Sequence, residues 1–190
     1  MDVLTAMKNR WSCREFSTEP ISEEIINQIL EAATWAPSPL NSQPWEFIVV
    51  SNEDIRKKIY EEAKRCRDWA IEKSGWKWLE NYSANFLQSV PVIICVIGDP
   101  KKTGVDMFQE EGMAGYQLAC AAAIQNMLLA AHALDIGNLW FTFFDKKAMR
   151  EILDIDAKKT PLALVCLGKA NSQATQTPRK NAAEKSIYIR

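Results

Sequence analysis

Residues 32–50 read AATWAPSPLNSQPWEFIVV, and three kinds of backbone meet in that stretch. Upstream, Ser22 with Glu23 and Glu24 behind Pro20 carries the signature of a helix start: a hydroxyl cap followed by acids at the positive end of the dipole. The predicted helix runs to Ala36, with Ile25, Ile29, Leu30 and Ala33 sharing its buried face. Pro37, Pro39 and Pro44 then supply no backbone N–H, which forbids helix continuation and ladder pairing. An extended, rigid loop is expected there. Trp45-Glu46-Phe47-Ile48-Val49-Val50 follows as an aromatic and β-branched run, the pattern of a buried strand.

Working outward, Asp2 caps a short helix through about Lys8. Pro91–Ile97 and Leu162–Leu167 repeat the strand pattern, and Asn138–Thr142 is a shorter candidate. Between the first two strands, residues 53–88 alternate charged and aromatic groups at helix-compatible spacing, including Trp69, Trp76 and Trp78, as a partner surface or a lid would. Residues 112–134 are Ala-rich and apolar on nearly every side, the pattern of a helix buried all round. A membrane span is the rival reading, but Gln117, Gln125, Asn126 and His132 would be costly in hydrocarbon. Gly112, Gly115 and Ala119 give this helix a small-residue face suited to a subunit interface. Helices separate the strands with connections of irregular length. The expected architecture is α+β, a three-layer α/β/α sandwich with a central mixed sheet. One domain spans residues 1–190, with an extended tail from about 170.

Composition narrows the function. The 190 residues carry 23 Lys and Arg against 24 Asp and Glu, a net charge of -1, so no basic excess drives binding to nucleic acid or anionic lipid. The first residues show no charged start followed by an apolar run and a cleavage site, which predicts a cytoplasmic protein. Five cysteines lie far apart without a CxxC pair and read as reduced, buried thiols. The single histidine, His132, sits in an apolar run, so neither a metal cluster nor a Ser-His-Asp or Cys-His nucleophile system is expected. No GxGxxG or GxxxxGK[ST] motif is present.

Three polar segments remain. Arg10-Trp11-Ser12-Cys13-Arg14-Glu15-Phe16 places two guanidiniums and a hydroxyl close together, groups that match the charge and acceptor oxygens of a phosphate. The Pro37–Trp45 loop would hold backbone carbonyls and amide side chains against a planar heterocycle. Thr177-Pro178-Arg179-Lys180 adds cationic donors after the last strand.

In order and wording these segments resemble the nitroreductase family of FMN enzymes. The likeness includes the Arg-x-Ser-x-Arg-x-Phe run at Arg10–Phe16, Ala32-Ala33-Thr34-Trp35-Ala36-Pro37-Ser38 and Asn41-Ser42-Gln43-Pro44-Trp45. It extends to Ala121–Ala131 leading into Leu134-Asp135-Ile136-Gly137 and Trp140. The resemblance implies that Arg10, Ser12, Arg14 and Arg179 hold the FMN phosphate. Pro37, Ser38, Pro39 and Asn41 would line the flavin or its ribityl chain, and Trp140, Phe141 and Thr142 would belong to the same site. It further implies an intertwined homodimer in which some residues, Gln43 among them, serve the other subunit's flavin, and NADH or NADPH as electron donor to a small organic acceptor. The chain departs from the family pattern at Trp11, at Pro39 and in Phe141-Thr142-Phe143-Phe144, where glycines are frequent.

Overall fold

A computed structural model of the chain describes residues 1–109, 114–174 and 177–190. Four strands form one sheet in the order β1-β2-β4-β3: β1 Trp45–Val50, β2 Val92–Gly98, β3 Gly137–Phe141 and β4 Thr160–Gly168. All of its pairings are antiparallel, so the expected mixed sheet is corrected to an antiparallel one. Burial on both faces, the feature that makes β2 read as a continuous apolar run, reports helices above and below and not strand direction. Between β2 and β4 the register slips at Val96/Ile97, where Val96 faces Ala163 and Ile97 faces Pro161. Pro161 cannot donate to the ladder, and the bulge accommodates it.

The helices are α1 Val3–Asn9, α2 Glu23–Thr34, α3 Glu53–Ser74, α4 Phe86–Ser89, α5 Gly115–Ala133 and α6 Lys146–Leu153. Period-two alternation along β2 sorts them into layers. Val92, Ile94 and Val96 join α2 and α5 in one core cluster, together with Ile26, Ile29, Ala33, Cys120 and Met127. Ile93, Cys95 and Ile97 join the opposite cluster with Ile59, Ala63, Phe86, Leu87 and Met149 of α3, α4 and α6. The three-layer α/β/α sandwich follows from that alternation.

Ser22 accepts the Ile25 N–H at the start of α2, as its sequence requires. Ile26, and not Ile25, is fully buried; Ile25 and Leu30 pack at the margin of the core. The long central helix is buried along Tyr116, Ala119, Cys120, Ala123, Ile124, Met127 and Leu128. Leu118 is 68% exposed, so this helix is not buried all round within one chain. Gly112 of its expected small-residue face lies outside the described residues. Among those residues, no helix is long and apolar enough to cross a membrane.

Candidate functional site

The Arg10–Phe16 segment hangs on the ends of two strands. The Cys13 N–H donates to the Asn138 carbonyl at 2.9 Å, and the Asn171 N–H donates to the Glu15 carbonyl at 2.9 Å. Phe16 bridges Ala170. Close approach needs glycine here: a Cβ on Gly137 would lie 2.9 Å from the Gly168 carbonyl oxygen and 3.1 Å from Cys13 Sγ, and one on Gly168 would lie 3.0 Å from the Phe16 ring. With Cys13 and Phe16 buried, Arg10, Ser12 and Arg14 are left at the surface, half-buried to exposed.

These three residues line a cleft of about 830 Å³, and Arg179 joins them from the opposite end of the chain. Lys8 adds a further cation, Glu15 is the one carboxylate among the described lining residues, and Ser172, Gln173 and Thr177 add polar groups. Among the described residues none of the four cations forms an ion pair. Burial and the neighbouring Arg179 charge both disfavour the proton on Arg10. The chemistry of this donor set fits a phosphate monoester: planar guanidinium forks for charged oxygens and a hydroxyl for a further bond. Sequence reasoning brought Arg10, Ser12, Arg14 and Arg179 forward. It missed Lys8, Ser172 and Gln173, which carry no motif signal.

The proline loop is coiled, and the extended conformation expected for it is not adopted. Pro39–Asn41 form a 3-10 turn, and Leu40, Asn41 and Gln43 have φ of 53°, 51° and 44°. A Cβ on Gly104 would stand 2.6 Å from Pro39 Cβ, so the loop rests directly on that backbone. Internal bonds hold it: the Gln43 N–H donates to Ser38 Oγ at 3.0 Å, and Gln43 Nε2 to Asn41 Oδ1 at 3.2 Å. Proline fixes φ only at its own positions, and these local bonds decide the rest. Three non-glycine residues in the left-handed region mark a backbone held by its surroundings. Pro37, Ser38, Pro39, Asn41 and Gln43 are absent from the lining of the arginine cleft. One chain therefore presents two separate groups of site residues.

At the end of β3, Trp140 and Thr142 are exposed, whereas Phe141 turns inward onto Phe86, ring centroids 5.7 Å apart. From Phe143 an aromatic ladder climbs outward: Phe143 to Tyr82 at 6.1 Å, Tyr82 to Trp78 at 6.2 Å, and Trp78 stacked on Trp76 at 6.0 Å. Burial pushes the Tyr82 phenol up against the opposing pull of the Arg14 charge. Trp76 and Trp78 are more than half exposed.

The fold is a three-layer α+β sandwich with a cation-lined cleft at the ends of β3 and β4. The model of the nitroreductase family matches residues 7–169, and the chain belongs to that family. It is 34% identical to an Archaeoglobus fulgidus protein named "Putative NADH dehydrogenase/NAD(P)H nitroreductase" over 173 residues, covering 88% of this chain and 84% of that one. It is 28% identical to an iodotyrosine deiodinase of Haliscomenobacter hydrossis over 170 residues, 85% of this chain and 76% of that one. Among solved structures, a "putative nitroreductase in complex with FMN" from Desulfovibrio desulfuricans superposes with a TM-score of 0.77 at 26% identity, covering 100% of this chain and 98% of that one.

Proposed function

We propose that this chain binds FMN and catalyses electron transfer from NADH or NADPH to a small organic acceptor such as a nitroaromatic or quinone. The observation that carries the reading is the convergence of Arg10, Ser12, Arg14 and Arg179 on one cleft. When bound, FMN supplies the hydride and electron chemistry; the protein supplies grip, orientation and exclusion of water. Arg10, Arg14 and Arg179 would hold the phosphate. The second group, Pro37, Ser38, Pro39, Asn41 and Gln43, would meet the flavin of a neighbouring copy in a homodimer, which accounts for its separation from the cleft. Trp140 and Thr142, exposed beside Phe141, would border the ring system.

An anaerobic spectrum of the FMN-saturated protein, recorded before and after NADH and then NADPH, tests the reading. Bleaching of the flavin's visible absorbance is the expected result. A retained flavin that neither donor bleaches would sink the proposed donor, and failure to retain flavin would sink the cofactor.

Likeness to a deiodinase, together with the aromatic ladder, favours a second reading, reductive dehalogenation with the 66–82 segment closing over the substrate. Turnover of halogenated aromatics in place of nitroaromatics and quinones would select it.

A further inference from the structure

A second cavity of about 530 Å³ shares Trp11 with the arginine cleft and is lined in part by His132, Asp135, Asn138 and Lys169. Among the described residues, the buried His132 Nε2 and Asn138 Oδ1 have no hydrogen-bond partner. A ring nitrogen of the chain's one imidazole is thus free to bind or hold a proton, on the last turn of α5, a position where the helix dipole favours positive charge.

The charged groups around His132 come from three elements. Helix α1, which ends at Arg10, packs against α5, and Asp135 lines the cavity from the turn after α5; the Arg10 charge disfavours the imidazole's proton and the Asp135 charge favours it. Lys169 lines the cavity from the exit of β4 and is paired with Glu19. The lining from α2 is the apolar Ile25. Arg10 in turn feels Arg179 across the cleft. Without an anion on Arg10, a proton on His132 would thus add to the Arg10 and Arg179 charges, with Asp135 opposing them. An anion seated on Arg10 and Arg179 would reverse that field.

Resting on the FMN reading above, we infer that His132 is a proton-dependent positioning residue of the anion site, taking up a proton from solvent when the phosphate binds and tightening the hold on it through Arg10. Burial chiefly, and then the Arg10 charge, hold the imidazole below its ordinary value of 6.5 against the pull of Asp135, so it is neutral at pH 7 in the empty protein. Compensation of Arg10 by a dianionic phosphate removes the second of those two causes. By linkage, whatever the phosphate does to the proton the proton does to the phosphate.

Flavin titrations of the stripped protein, followed by quenching of flavin fluorescence, test this between pH 5.5 and 8 for wild type and His132→Gln. The phosphate's own ionisation near pH 6 weakens binding equally in both proteins, so the ratio of the two isolates the imidazole. Equal affinity is expected at pH 8, with wild type tighter by roughly fivefold at pH 5.5, a modest electrostatic coupling across a partly solvated cavity. A measurement on unaltered protein stands beside it: the C2-proton resonance of the only histidine should titrate at higher pH with FMN bound than without it. Parallel pH curves for the two proteins, or one titration midpoint for the histidine in both states, would overturn this inference and leave the cofactor reading intact. Absence of flavin binding by either protein at pH 8 would overturn both.

Discussion

The backbone N–H of Cys13 donates to the carbonyl of Asn138 at 2.9 Å, and by this bond the N-terminal segment is laid along the open edge of β3. Every candidate phosphate ligand before residue 20 takes its position from that attachment. Cys13 goes inward, and its neighbours Ser12 and Arg14 go outward. The site is thus an outcome of packing at the ends of β3 and β4 as much as of the residues that line it.

Gly137→Ala should therefore loosen the site without touching it. Its new methyl would press on the Gly168 carbonyl and on Cys13 Sγ, and overpacking of this kind costs about 1–3 kcal/mol. A lowered denaturation midpoint together with weaker FMN binding is the expected outcome. An unchanged pair of values would show that the segment does not need this close approach.

Arg14→Ala and Arg179→Ala should separate binding from folding. A charge-assisted bond to phosphate contributes about 1.5–3 kcal/mol, so each variant should lose about 10–100-fold in FMN affinity. Both side chains lie in exposed residues, and neither forms an ion pair among the described residues, so the unfolding midpoint should hold. Calorimetric titration with FMN reads the first effect and urea unfolding the second.

Glu62 joins two helices. Its buried carboxylate accepts the Asp145 N–H at 3.0 Å, the Cys66 thiol at 3.0 Å and two bonds from Arg65 at 2.7 and 2.9 Å. Glu62→Ala leaves the Asp145 N–H and the thiol unpaired and should destabilise the fold by about 1–3 kcal/mol. Arg65→Ala, removing a side chain that is largely in water, should cost about 0–1 kcal/mol. Equal losses in urea unfolding would contradict this division.

The same carboxylate predicts acid behaviour. Burial pushes Glu62 up, but the bonds from Arg65, Cys66 and the Asp145 N–H outweigh it and hold the group below its ordinary value of 4.5. A depressed carboxylate stabilises the fold above its unfolded value, and that contribution is lost as pH falls through the folded one. The stability gap between wild type and Glu62→Gln should therefore be full near pH 7 and shrink below pH 4.5. A gap that is constant with pH would remove the charge from the account.

All five cysteines are buried and unpaired. Burial pushes Cys66 up to about 11 and Cys95 and Cys120 each to about 12, so little thiolate is present at pH 8. A disulfide reagent should react slowly with folded protein and titrate five thiols once it is unfolded. Rapid reaction of one thiol before unfolding would reveal an opening of the core.

Some of this was legible residue by residue. The Ser22 cap, the strand at Trp45–Val50 and the apolar runs of β2 and β4 are local signals, and local hydrogen bonds and burial honour them. Helix α6 was not foreseen, although Asp145 caps it by accepting the Lys147 and Ala148 N–H groups. Eight residues leave little room for a periodicity to declare itself. Likewise the three prolines indicated where helix and ladder must stop, yet the coil between them depends on Ser38, Asn41 and Gln43 bonding to one another.

The sequence by itself determined the family, the layered α+β composition and the identity of the candidate phosphate ligands, because cap, period and motif are properties of neighbouring residues. The tertiary structure alone decided that the sheet is antiparallel, that the proline loop coils and stands apart from the arginines within one chain, and that His132 lines a cavity sharing Trp11 with the cleft. Each of those is a relation between residues remote in the chain. Such relations are set by which apolar faces find each other and by where glycine lets two backbones touch.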